Sequence, residues 1–252
     1  MAQGLAEVVP VSSSAQLVLL PWLLDWEPAG ERTAFAAALH AGSTLGIGWV
    51  MRDDVRTLDR RTAALLAGTC IPAAVAGLLV ADRLEQRLSR PGQLAALLAG
   101  AGALLWVVDS RAERRPAEPS PDRTIGKRHA ALAAFAQIPA LVPGVSRSGA
   151  TLTALRASGV DRQAAERFSV LMSLPVTAGA AVLTLARADP GTVRRLAPSL
   201  GLGAGCAALA GAAAARVLQR RPGRTATGPA LYRLALAAAV VRRVRTSGKD
   251  TW

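Results

Sequence analysis

Little in this chain of 252 residues suits a soluble fold. Its apolar runs lack the polar stripes at 3.6-residue spacing that a soluble helical bundle presents to water. Cysteine is scarce. Cys70 and Cys206 are the only two, and both fall inside apolar runs, so they read as small fillers and not as a disulfide framework or a thiolate metal centre. Lysine is nearly absent, with Lys127 and Lys249 the only lysines among 30 basic residues, so the abundance of arginine as such says nothing about phosphate binding. A single basic patch is missing too: the net charge of +13 is spread over every loop, which argues against nucleic acid as a partner. No basic segment precedes the first apolar residues and Glu7 interrupts them, so no cleavable signal peptide is expected.

What is present is apolar sequence of membrane length. The chain is 51% hydrophobic and 19% charged, with a mean hydropathy of +0.30. Thr62–Ala81, Pro91–Val108, Phe168–Ala186 and Leu196–Ala215 run 18 to 20 residues without a charge, the length that crosses a hydrocarbon core of about 30 Å. Thr33–Met51, containing His40, is a fifth expected span, and Gly228–Val241 is a sixth that Arg233 interrupts.

Polar residues inside such sequence call for a function. The first group is Gln3-Gly4-Leu5-Ala6-Glu7-Val8-Val9-Pro10-Val11-Ser12-Ser13-Ser14, after which no charge occurs until Asp25. Gln3 and Glu7 are four residues apart and share one helix face. Pro10 ends that helix, and the serines then supply hydroxyl caps and free backbone N–H groups at the start of a second one, which together attract anions. Helix, turn and helix from Met1 to about Leu24 are each too short to cross a bilayer, so the segment is expected to be a re-entrant hairpin. Irregular backbone is tolerated at that depth only against protein or a wet cavity.

A second interruption follows the charged, proline-rich linker 110–128. Ala130–Val142 is apolar, Pro143-Gly144-Val145-Ser146-Arg147-Ser148-Gly149-Ala150-Thr151 breaks it, and an apolar piece runs on to Leu155. The halves 1–109 and 129–252 therefore repeat, each a hairpin followed by three spans. An odd number of spans separates the hairpins, so they enter from opposite faces and can meet near the midplane, as in inverted-repeat transporters. The expected fold is a single all-α membrane domain of six spans and two re-entrant hairpins. Loops on one side carry 16 basic residues and those on the other 11. The positive-inside rule then puts the mouth of the first hairpin on the outer face.

Arg147 is the arginine in the wrong place, preceded by 17 uncharged residues, Ala130–Ser146. A guanidinium matches phosphate oxygens in pairs and cannot be neutralised cheaply, so an anionic ligand is its natural partner; a plain ion pair with Glu7 is the structural alternative.

These motifs resemble the undecaprenyl-diphosphate phosphatase family of bacterial inner membranes, also known for bacitracin resistance. The first group matches the family's glutamate/glutamine-x3-glutamate and proline-x-serine-serine pattern, the second its arginine loop, and Glu166-Arg167-Phe168-Ser169 with Ser173-Leu174-Pro175 is a third, less specific match. The resemblance implies two re-entrant hairpins and six spans around a site that removes the terminal phosphate of a C55 isoprenyl diphosphate with a divalent cation. Carried onto this chain, it makes Glu7, Ser13, Ser12 and Arg147 catalytic candidates, with Ser13 ahead of Ser12 as nucleophile. Glu7, helped by Gln3, would bind Mg2+ or Ca2+, or would alternatively be the base that activates serine or water. Ser14, Gln16, Ser146, Ser148, Gly149, Thr151 and His40 are the substrate-binding candidates.

There are two departures. Gln16 stands where the family has a histidine, and an amide cannot shuttle a proton; His40 is the intramembrane histidine available to replace it. Family members also have about ten further apolar residues before this motif, so the first hairpin arm is short or the start is late. The expected partners are a polyprenyl diphosphate, the bilayer and a second copy of the chain, with no nucleic acid. A lipid-phosphate transporter and a catalytically impaired lipid-binding homologue are the other readings of the same pattern.

Overall fold

Helix-forming apolar sequence dominates the chain, and its long helices run through Pro72, Pro175 and Pro198 without a break. The computed structural model describes residues 1–26, 32–88, 90–114, 125–220 and 226–248, and among them there are helices, turns and no strand. In chain order the helices are α1 (Ala2–Val8), α2 (Ser13–Leu23), α3 (Arg32–Val50), α4 (Arg52–Arg56), α5 (Arg60–Arg87), α6 (Pro91–Glu113), α7 (Lys127–Ala136), α8 (Arg147–Ala157), α9 (Arg162–Arg187), α10 (Pro190–Arg220) and α11 (Thr227–Ser247), with a 3-10 turn at Pro139–Leu141. Four segments, Arg60–Ala81, Pro91–Glu113, Arg162–Arg187 and Pro190–Arg220, are long and apolar enough to cross a membrane. The chain is thus a multi-pass membrane protein.

Several expectations change in detail. The charged stretch Arg52–Arg61 between the expected spans contains the short α4, and α5 runs on to Arg87, beyond the expected span end at Ala81. Arg233 does not interrupt its segment, because α11 is continuous from Thr227 to Ser247. Of the linker expected over 110–128, residues 115–124 lie outside the described residues, as do 27–31 of the polar loop after the first hairpin.

Packing places the two helical hairpins among the long helices. Helix α3 lies against α10 and α9, α6 against α11, α1 against α10, and α7 against α5, while α8 fills the space between α6, α7 and α9. Two buried clusters result. Val8, Ile47, Met51, Leu105, Leu152, Leu155, Phe168 and Met172 belong to one; Ala15, Leu19, Leu94, Leu98, Leu236 and Val240 belong to the other. The first hairpin therefore has α1 rooted in one cluster and α2 in the other.

Glycine sets the closest approach. A Cβ on Gly42 or Gly46 would lie 2.0 Å from the carbonyl oxygen of Ala204 or Ala208, and one on Gly4 would lie 2.2 Å from that of Ala207. Backbones in hydrocarbon gain no hydrophobic attraction for each other, so small residues that allow dense contact hold α3 and α1 onto α10.

Two charge clusters tie helix ends together. Asp109 accepts from Arg156 Nε at 2.9 Å, Arg162 Nη2 at 2.6 Å and the Ala226 N–H at 3.1 Å, tying the ends of α6 and α8 to the starts of α9 and α11. At the other end Arg243 of α11 bonds Asp25 and lies over the Trp22 ring, which ties the end of α2 to α11. Asp59 caps α5 through the Thr62 N–H at 2.7 Å, and hydrogen bonding to Thr62 holds its carboxyl below the usual carboxylate range.

Candidate active site

The repeat seen in the sequence becomes a repeat in geometry. Val11-Ser12-Ser13-Ser14 and Val145-Ser146-Arg147-Ser148 each lead into an 11-residue helix, with Ser12 capping α2 and Ser146 capping α8. Both cap residues have positive φ, 68° and 75°, a region L residues rarely occupy and one that costs about 1–3 kcal/mol where it persists. In each turn the cap hydroxyl lies 3.3 Å from the hydroxyl two residues on: Ser12 to Ser14, and Ser146 to Ser148. Gly144, at φ 99°, is the glycine the second turn needs.

Ser13 and Arg147 are thus equivalent first residues of α2 and α8. Both reach Glu7. Arg147 Nη2 donates to Glu7 Oε2 at 2.7 Å, across 140 residues of sequence, and Arg147 Nη1 donates to the Ser173 carbonyl at 3.1 Å. The Ser13 hydroxyl lies close to the same carboxylate. Glu7 is only 3% exposed, and its other oxygen accepts from Gln3 Nε2 at 2.7 Å and lies 2.9 Å from His40 Nδ1. That ring nitrogen is also 3.0 Å from Gln3 Nε2, so it accepts from the amide when unprotonated and donates to the carboxylate when protonated. Glu7 is therefore held between a permanent cation and a titratable one.

The remaining candidates separate into two kinds. Ser13, Ser14, Arg147 and His40 are partly exposed and can meet a ligand. Gln16 is cross-linked instead: its Oε1 accepts from Tyr232 at 2.7 Å and its Nε2 donates to the Val11 carbonyl at 3.2 Å. The Thr151 hydroxyl is enclosed within α8, bonded to the Arg147 carbonyl at 3.0 Å and to Ser169 at 2.7 Å. The Gly149 N–H serves Ser146 Oγ at 3.1 Å.

A cavity of about 790 Å3 reaches this region, lined mainly by apolar residues of α1, α10 and α11, with Gln16, Ser148, Glu166, Ser169 and Tyr232 as polar points. Neither Tyr232 nor Arg233 was legible as a site residue. Tyr232 gave no signal, and Arg233 read as a blemish in a span, whereas it is fully buried and bonded to both turns.

Among the described residues no three His, Cys, Asp or Glu side chains gather into a metal cluster. The Gln3 Oε1 atom is nevertheless buried with no hydrogen-bond partner, beside the Glu7 carboxylate. One carboxylate and one free amide oxygen suit a hard divalent cation that keeps waters and takes its other ligands from substrate phosphates.

Fold and site together define a class: a multi-pass helical membrane protein in which two hairpin turns from different halves of the chain bring an acid, a serine and an arginine together. Comparison with known proteins names the family. The model for bacitracin resistance protein BacA matches residues 1–239, and the chain belongs to that family. It is 40% identical to an undecaprenyl-diphosphatase of Gemmatimonas aurantiaca, over 95% of this chain and 93% of that one. It is 38% identical to one from Geobacter metallireducens over 72% of this chain and 71% of that protein. It is 36% identical to undecaprenyl-diphosphatase 2 of Stutzerimonas stutzeri over 81% and 80%.

Proposed function

We propose that this protein is an undecaprenyl-diphosphate phosphatase that converts the C55 isoprenyl diphosphate to its monophosphate and inorganic phosphate, renewing a lipid carrier for the cell wall. The observation that carries the reading is the meeting of Ser13 and Arg147, from matching turns of the two halves, at one buried carboxylate. Family membership and relatives named undecaprenyl-diphosphatase supply the substrate.

Hydrolysis of a phosphoanhydride needs charge neutralised on the transferred group, an in-line nucleophile and a stabilised leaving phosphate. Arg147 leaves Glu7 to pair with the terminal phosphate. Ser13 Oγ then attacks that phosphorus as the bond to the bridging oxygen breaks, its proton passes to Glu7, and the isoprenyl monophosphate departs with the bridging oxygen. In a second step water attacks the phosphoserine phosphorus as its bond to Ser13 Oγ breaks; Glu7 returns its proton to Ser13 Oγ, and inorganic phosphate leaves with the oxygen and protons of the water. The N–H groups and positive ends of α2 and α8 face the anion throughout. In the alternative in which Glu7 is a ligand and not the base, it and Gln3 would hold a Mg2+ or Ca2+ ion, whose contribution would be to neutralise phosphate oxygens. His40, in contact with Glu7, takes the place of the family histidine, because the Gln16 amide has no proton to exchange and both its ends are engaged.

The chain is a single membrane domain of two inverted halves, 1–109 and 129–252. The paired packing of α3 with α9 and of α6 with α11 supports this, since these are matching helices of the two halves. At 1.5 Å per residue, α1, α2, α7 and α8 each extend about 10–17 Å, which supports re-entrant hairpins, while α3 and α11 at 19 and 21 residues complete six spans. The bias of basic residues supports a site opening to the outer face of the bacterial cell membrane.

The test is release of inorganic phosphate from a polyprenyl diphosphate by purified protein in detergent with Mg2+ or Ca2+. Wild type releases phosphate and Ser13→Ala does not. Undiminished release by Ser13→Ala refutes the serine mechanism, and movement of the lipid across vesicles without release refutes the phosphatase reading.

A further inference from the structure

Arg233 is 0% exposed in the middle of an apolar helix, and among the described residues no carboxylate pairs with it. Its partners are main-chain carbonyls. Nε donates to Leu98 O of α6 at 3.1 Å, Nη2 to Gly144 O at 2.7 Å and Val145 O at 2.8 Å, and Nη1 to Pro10 O at 3.4 Å. One guanidinium therefore spans the turn before α2 and the turn before α8. Two glycines make the room: a Cβ on Gly149 would lie 3.0 Å from Arg233 Nη1, and one on Gly102 3.2 Å from Arg233 Cβ.

This arrangement has two consequences for an anion at the site. The Val145–Ser146 peptide is trans, so drawing the Val145 carbonyl toward α11 turns the Ser146 N–H to the opposite side of the turn. The charge itself is not cancelled by an acid, so a full positive charge stands behind turns whose other face carries Ser13 and Arg147. Ionisable groups retained at membrane depth usually serve a site, and a planar guanidinium can bridge several acceptors where an ammonium serves as a point charge.

We infer that Arg233 is a positioning residue for the phosphatase site: it clamps the two hairpin turns at the separation where Glu7, Ser13 and Arg147 meet, and so sets affinity for the diphosphate headgroup. The inference rests on the phosphatase reading for its kinetic test and on the geometry alone for its binding test.

The experiment compares wild type, Arg233→Lys and Gly102→Ala in detergent. It reads the kcat and KM of phosphate release from a polyprenyl diphosphate, together with the rise in melting temperature produced by inorganic pyrophosphate. Arg233→Lys keeps the charge but cannot span both turns, so KM should rise about tenfold or more, with kcat falling less and the pyrophosphate protection shrinking in parallel. Gly102→Ala pushes on the Arg233 side chain from α6 without touching either turn, and should move both readouts the same way by a smaller factor. If Arg233→Lys fails to fold, Gly102→Ala carries the test alone. Values of KM and pyrophosphate protection within twofold of wild type in the folded variants, even with lower melting temperatures, would make Arg233 a structural plug between α6 and α11 and overturn the inference. If wild type releases no phosphate, the phosphatase reading fails by itself, and the pyrophosphate shift of Arg233→Lys against wild type still decides the clamp.

Discussion

Removing Arg147 should cost stability as well as activity, because it is half of a buried pair that joins the two halves of the chain. Glu7 is 3% exposed and the Arg147 side chain 16%, with 2.7 Å between them. Breaking such a pair from one side strands the other charge and costs about 3–5 kcal/mol. Arg147→Met should fall near the lower end, about 3 kcal/mol, since Gln3 and His40 still attend Glu7. For a chain of this size that corresponds to a drop of about 6–12 °C in melting temperature. Glu7→Gln should lose less, because Arg147 keeps the Ser173 carbonyl and its partial exposure lets an anion replace the carboxylate. Inorganic phosphate should therefore restabilise Glu7→Gln, by about 2.7 kcal/mol at a hundred times its dissociation constant, and leave Arg147→Met unaffected. The assay is thermal unfolding in detergent of wild type, both single variants and Glu7→Gln/Arg147→Met, with and without phosphate. A coupling energy of about 1.5 kcal/mol or more is expected. Additivity within about 0.5 kcal/mol would mean that the two side chains do not interact and that the convergence of the hairpins is wrong.

Other expectations concern the neighbours of this pair. Loss of an acid–base group costs about 10²–10⁴ in rate, so His40→Gln should lower kcat at least about a hundredfold while Gln16→His stays within about threefold of wild type; a large gain in Gln16→His with no loss in His40→Gln would return the proton role to residue 16. Replacing Gly46 by alanine drives a Cβ to 2.0 Å from the Ala208 carbonyl. That overpacking should cost about 1–3 kcal/mol and lower activity by moving α3, which carries His40; unchanged unfolding would contradict the close α3–α10 contact. Asp109→Asn removes the charge that pairs with Arg156 and Arg162 at the far end of α8, and turns one of the two acceptor oxygens shared by these arginines and the Ala226 N–H into a donor. It should destabilise by about 3 kcal/mol with KM unchanged in the folded protein, and a KM shift as large as that of Arg233→Lys would merge the two clusters into one site.

Much of the candidate site is legible in the sequence. Charged and hydroxyl side chains at membrane depth are costly, so Glu7, the serine run and Arg147 announced themselves by their surroundings, and the resemblance between the two turns revealed the repeat. The geometry adds what spacing cannot encode. Ser12 and Ser146 hold positive φ without the glycine that normally marks it. Gln16 carries a polar group whose partner, Tyr232, is 216 residues away, so its engagement is a fact of tertiary packing. Arg233 was misread because an arginine in an apolar run looks like an interruption when its acceptors are carbonyls, which leave no mark on sequence. Gly42 and Gly46 look like any glycines of a membrane helix until the α10 backbone is seen against them. Helix ends shifted for a simpler reason, since charged residues at a membrane surface continue a helix as readily as they end it.

The claim on which the account depends is that both turns touch one headgroup. Photolabelling with a polyprenyl diphosphate that carries its reactive group next to the phosphates, followed by peptide mapping, tests it directly. Adducts in the segment around Ser12 to Ser14 and in the segment around Ser146 to Ser148, both competed by unlabelled substrate, are the expected result. Labelling of one turn alone, or of the exposed faces of α5 and α10, would contradict it.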